Sequence, residues 1–168
     1  MALAQPHSYC DGVRHPLMST IDLIMTITHT LFASLWIGSV LFFIGAVLPT
    51  AAAGSVSVEM MSMLTTRLAW LTRISALVFV ATGGHLAGTA YTAGSLFGTP
   101  RGQLVVAMVI LWFVLTGLIE ISVKRFDRVA QREGISSAVT ETRGLFVVAA
   151  AVAVLLLIDA GLLTANVV

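Results

Sequence analysis

Long apolar stretches separated by short polar ones set the rhythm of this chain. Four of them, at about 21–48, 71–93, 103–123 and 144–165, each exceed the roughly 20 residues a helix needs to cross about 30 Å of hydrocarbon at 1.5 Å per residue. The pattern predicts an all-α, polytopic membrane protein: an antiparallel bundle of four transmembrane helices over 21–168, preceded by a tail at 1–20. Ser19 and Thr20 can cap the first helix, and Pro49 stands where a proline stops one. The 49–66 connection is poor in charge and carries Met60, Met61 and Met63, which suits a segment lying along the membrane interface. Residues 93–102 form a turn-rich loop by their glycines and proline, and 124–143 reads as the one truly polar connection.

Composition agrees with lipid as solvent. Hydrophobic residues make up 58% of the 168 and charged ones 10%, too few to cover the surface of a soluble domain. Mean hydropathy is +0.99. The basic residues are not gathered into a patch with interleaved aromatics, which gives no case for nucleic acid. Cys10 is the only cysteine, so neither an intrachain disulfide nor a CxxC clip can form. The first 20 residues lack the features of a cleaved secretory signal, so the first apolar segment is expected to be a retained helix.

Arg67 and Arg73 flank the first connection, and Lys124, Arg125, Arg128, Arg132 and Arg143 crowd the third, whereas Arg14 and Arg101 are all that the opposite side offers. By the excess of Lys and Arg in cytoplasmic loops, both termini are expected outside a plasma membrane.

Ionisable residues inside an apolar span are costly, and here they are few: His29, His85, Glu120 and Asp159, with Asp22 at a border. Counted from the expected ends of alternating helices, His29 and His85 share a level about 10–12 Å inside the outer surface. Met108 and Asp159 are expected in the same layer. Glu120 lies on the inner side, where Lys124, its i+4 neighbour, gives it a structural partner. Asp22, Met25, His29, Phe32 and Trp36 recur at spacings of three and four along one face of the first helix. The thioether of Met25 beside the imidazole of His29 suits a soft ion such as Cu(I), and neutral imidazole equally suits haem iron. Gly84 and Gly88 form a GxxxG pattern around His85, which lets a helix or a flat macrocycle approach the backbone. In the tail, His7, Cys10, His15 and Met18 are irregularly spaced, as in an ordinary solvated segment. No Ser/His/Asp arrangement, HExxH or phosphate-cradling Gly-Lys loop marks the chain as an enzyme.

The stretch His29-Thr-Leu-Phe-Ala-Ser-Leu-Trp-Ile-Gly38, with a histidine followed seven residues later by Trp36 and then Gly38, resembles the copper resistance protein D family. So does Gly98-Thr-Pro-Arg-Gly-Gln-Leu104, and with the Thr82-Gly83 region the likeness covers about 100 residues. The resemblance implies a polytopic inner-membrane protein of copper uptake or tolerance, although members of that family usually have more helices. The histidine-to-tryptophan pattern is also similar to haem-associated membrane proteins, including the membrane-bound protoporphyrinogen oxidase family, whose expected second-helix lysine has no match here.

Three readings follow. In the first, His29, His85, Met25 and Met108 hold a copper ion in the outer leaflet, with Asp159 and Trp36 orienting the ligands. In the second, His29 and His85 bind haem b axially for electron transfer; Gly83, Gly84 and Gly88 make room for the ring, and Arg101 or Arg14 meets the propionates. In the third, the chain is a structural or assembly subunit of a homo-oligomer or membrane complex.

Overall fold

Residues 19–165 are described in a computed structural model of the protein. Four helices are long and apolar enough to cross a bilayer, and no strand occurs among the described residues. The chain is an all-α, multi-pass membrane protein. Its first helix, α1 (Thr20–Phe42), starts on a capping box: the Ser19 hydroxyl accepts from the Asp22 backbone N–H, and the Asp22 carboxylate accepts from the Ser19 backbone N–H.

Pro49 does not stop this helix. A π-helical turn (Phe43–Val47) carries it into α2 (Leu48–Ala52), and the rod ends only at Ala53 and the positive-φ Gly54. Proline has no N–H to give the carbonyl four residues back, and its ring crowds that carbonyl. The wider π turn immediately before it accommodates both effects.

Ser57 then caps α3 (Val58–Ala90), Thr92 caps the short α4 (Ala93–Gly98), and Thr99 caps α5 (Pro100–Glu133), whose first position is Pro100. Gly134, at φ 89°, is the whole link to α6 (Ile135–Thr164). All three stretches expected as connections are thus largely helical, the 93–102 loop being α4 and the start of α5 with only Thr99 between them. In 58–70, Met61, Thr65, Leu68 and Ala69 are buried; in 124–143, Phe126, Val129, Ala130, Ala138 and Thr142 are buried. Their spacing of three and four gives each helix an inward stripe even where charge dominates the composition, so the bundle continues past the apolar windows.

The helices are ordered α1, α3, α5, α6, and α6 closes back on α1. Cross-helix bonds set their register: Trp36 Nε1 donates to Thr72 Oγ1 at 3.0 Å, Arg73 grips both carboxylate oxygens of Glu120, and Thr65 is bonded to Asp127. Farther along, Arg125 meets Glu141. Glu120 is therefore structural, as expected, but Arg73 at 2.9 Å is its main partner and Lys124 at 3.8 Å the lesser one.

The apolar core lies toward the end that holds the α2–α3 and α5–α6 links, with Trp36, Val40, Phe43, Met61, Leu115, Ile119, Phe126 and Phe146 all buried. Toward the opposite, terminal end, α1 has no buried residue before Trp36, α5 has none between Gly102 and Leu115, and α3 has only Thr82 after Ser75. Trp36, 1% exposed, joins the two regions. Trp36→Phe keeps the ring and removes the donor to Thr72, so a stability loss of about 1–2 kcal/mol is expected, read as a lower unfolding midpoint in detergent.

Candidate functional site

Both histidines face the α1–α3 interface, but each meets a residue of the opposite helix and not the other histidine. His29 Nδ1 lies 2.8 Å from Thr82 Oγ1, and His85 Nε2 lies 2.9 Å from Asp22 Oδ1. Thr82 Oγ1 is also 2.7 Å from the Val78 carbonyl, four residues back. A hydroxyl has a single proton and a carbonyl can only accept, so that proton goes to Val78 and Thr82 must accept from His29. The network thus assigns His29 as the Nδ1–H tautomer, leaving the lone pair on Nε2. Asp22 plays the corresponding part for His85: a carboxylate on one ring nitrogen orients the imidazole.

The two rings do not share a level. Asp22 and His29 are seven residues apart on α1, and Thr82 and His85 are three apart on α3. At 1.5 Å per residue those separations are about 10 Å along α1 and about 4–5 Å along α3, so the ring held at Thr82 and the ring held at Asp22 are offset by one to two helical turns. The expected equality of depth rested on a second helix ending at residue 93. It ends at Ala90, because Tyr91 and Thr92 are extended so that Thr92 can cap α4. Met25 lies between Asp22 and His29 on the same half-buried face of α1, at a height between the two rings.

Other expected members are placed differently. Trp36 does not orient a ligand directly: its ring meets Phe79 at 5.6 Å, and Phe79 meets His29 at 5.1 Å. Asp159 bonds to neither histidine; the carboxylate that does is Asp22. The α3–α5 register puts Met108 level with His85, one helix away, where it packs against the apolar core. Gly84 and Gly88 are exposed, and a Cβ on either would meet nothing within 4 Å, so the GxxxG face looks outward to lipid. The glycine that is closely approached is Gly83, where a Cβ would stand 3.2 Å from His29 Cε1. Arg101 Nη2 donates to the Leu163 carbonyl at the end of α6, away from both imidazoles. Arg14, His7, Cys10, His15 and Met18 lie outside the described residues.

Thr82, Phe79 and Asp22 are the residues that sequence reasoning missed as partners. Asp22 carried a signal, since a carboxylate seven residues before His29 shares its helix face. Thr82 and Phe79 carried none beyond proximity to His85.

Among the described residues, no three His, Cys, Asp or Glu side chains are grouped as a metal cluster. An ion held here would need thioether sulfur beside imidazole nitrogen, a donor set suited to a soft monovalent ion and poorly suited to a hard divalent one. No family model, curated protein or solved structure matches the chain.

Proposed function

We propose that this protein handles copper in the membrane, holding a cuprous ion between α1 and α3 in the terminal half of the bundle. His29 Nε2 and the Met25 sulfur are the proposed ligands; His85, a turn or more away and bonded to Asp22, is not a ligand of the same ion. The observation that supports this reading is the Thr82 hydroxyl, which bonds the Val78 carbonyl and His29 Nδ1; with the neutral imidazole donating from Nδ1, Nε2 keeps its lone pair for a metal. The Asp22–His85 pair repeats the arrangement at a different height. Asp22, Thr82 and Phe79 position the imidazoles; Met108, Asp159 and Trp36 are not in this ligand set. The copper resistance protein D resemblance, centred on His29, Trp36 and Gly38, points the same way.

In this reading the link end, rich in Arg and Lys, faces the cytoplasm of a cell whose plasma membrane holds the protein, and copper arrives from outside. The haem reading is less well supported. Each imidazole already has one nitrogen engaged across the α1–α3 interface, and a macrocycle between rings a turn or more apart would have to part both contacts. The structural-subunit reading rests on one observation, the open Gly84–Gly88 face, which is compatible with copper binding.

The test is a titration of purified protein with cuprous ion against a chromogenic competitor, alongside a visible spectrum of the protein as isolated. Stoichiometric copper with no Soret band is the expected result. A Soret band with sharp reduced α bands would replace this reading by the haem one, and neither signal would leave the structural one.

A further inference from the structure

Asp159 has no part in the copper site, yet it is the most deeply buried ionisable residue described, at 6% exposure. It lies on α6 where that helix packs on α5. Its Oδ2 has no hydrogen-bond partner, and the side chain enters no ion pair among the described residues.

Three other buried polar atoms are equally without partners: Trp112 Nε1 and Thr116 Oγ1 on α5, and Ser75 Oγ on α3. Their heights are ordered. The Arg101–Leu163 and Arg125–Glu141 contacts place Asp159 opposite Val106 and Ala107. Trp112 begins about one and a half turns deeper, and helical side chains lean toward their own N-terminus, which for Trp112 is the direction of Asp159. Thr116 follows one turn below. The Arg73–Glu120 and Thr65–Asp127 contacts put Ser75 at about the height of Gly117. The unpartnered atoms therefore descend from Asp159 near the terminal end to the middle of the bundle. They stop where Leu115, Ile119, Phe146 and Trp36 close the core.

An ionised carboxylate with an idle oxygen in such surroundings is far costlier than a neutral carboxyl, and buried donors and hydroxyls without protein partners are ordinarily met by water. We propose that Asp159 is a proton-binding site of the membrane domain, exchanging one proton with the nearby terminal face and bonded on its inner side to water seated on Trp112, Thr116 and Ser75. The step is a simple protonation: an O–H bond forms on the carboxylate and a hydronium ion returns to water. No oxidant or co-reactant takes part.

Among the described residues, the charged groups around it do not supply a counter-ion. On α5 the ionisable residues on either side are Arg101, bonded at the α6 terminus, and Glu120, gripped by Arg73. On α1, Asp22 and His29 are tied to α3, as is His85 to Asp22. The π turn and α2 carry no ionisable residue, and α6 has none besides Asp159 between Arg143 and its end.

The inference is independent of copper and is tested on metal-free, full-length protein in lipid nanodiscs by infrared difference spectroscopy across a pH series. A protonated-carboxyl carbonyl band is expected at neutral pH, to be lost in Asp159→Asn and kept in Glu120→Gln. Trp112→Phe, which removes one seat for water, should shift the pH midpoint of the band. The proposal is overturned by a wild-type protein lacking the band at every pH where it stays folded, or by a band that persists in Asp159→Asn. Should that variant not fold, Asp159→Glu serves instead: a displaced band supports the assignment and an unmoved one rejects it. An unshifted midpoint in Trp112→Phe removes the water on the inner side.

Discussion

His29→Ala is expected to abolish cuprous-ion binding, while the protein keeps its helical content and unfolding midpoint to within about 1 kcal/mol. His29 is half-buried beside Phe79 and touches α3 through one hydrogen bond, so its loss leaves the apolar core below Trp36 untouched. Truncating one such partner costs about 0.5–1.5 kcal/mol. A total binding loss is expected because the proposed site has His29 Nε2 as its one nitrogen ligand, oriented by the Thr82 contact. Thr82→Val separates the two roles of the contact. It keeps the shape of the side chain and removes the hydroxyl that accepts the Nδ1 proton, so the imidazole is free to change tautomer and rotate. A loss of about 10–100-fold in cuprous affinity is expected, the usual effect of removing an outer partner of a liganding histidine. Competition titration of the wild type and both variants reads this directly. Equal affinity in His29→Ala would remove the site from α1 altogether.

Gly102→Ala is expected to destabilise the fold by about 2–3 kcal/mol, a sign opposite to the usual effect of alanine in a helix. A Cβ at residue 102 would collide with the carbonyl oxygens of Ser95 and Leu96 and approach Leu96 Cα to 2.6 Å. These are backbone atoms of α4, and α4 cannot move freely. Thr92 caps its start, Thr99 closes it by hydrogen bonding to the Ser95 carbonyl, and the Gly102 N–H donates to Thr99 Oγ1. Gly84→Ala is the control, because its Cβ enters open space. In the isolated chain it should be neutral or stabilising by up to about 1 kcal/mol. Unfolding midpoints in the same detergent compare the two; equal midpoints would show that α4 yields without cost.

The Gly102 geometry also shows why the Gly-Thr-Pro-Arg-Gly-Gln-Leu stretch, expected as part of a turn-rich loop, is instead a junction of two helices broken only at Thr99. Thr99 as cap and Pro100 at the first helical position follow from local chemistry, whereas the need for Gly102 comes from a neighbour six residues back that folds over it. The extra length of α5 and α6 was missed for a related reason. Charge in 124–143 masked an inward stripe of Phe126, Val129, Ala130, Ala138 and Thr142, which has no meaning until two helices face each other.

Alone, the amino-acid order determined what depends on one helix at a time. The number of apolar spans, the Ser19 cap and the structural role of Glu120 are of this kind, because length, hydropathy and capping act locally. Only the tertiary arrangement decided which polar groups meet. His29 with Thr82 and His85 with Asp22 are pairs separated by 53 and 63 residues. Their partners depend on how far α1 and α3 are rotated about their own axes and on their lengthwise register. Thr92 caps α4 and α3 ends at Ala90, while the α1–α3 register, fixed by the Trp36–Thr72 bond, sets the two imidazoles at different heights.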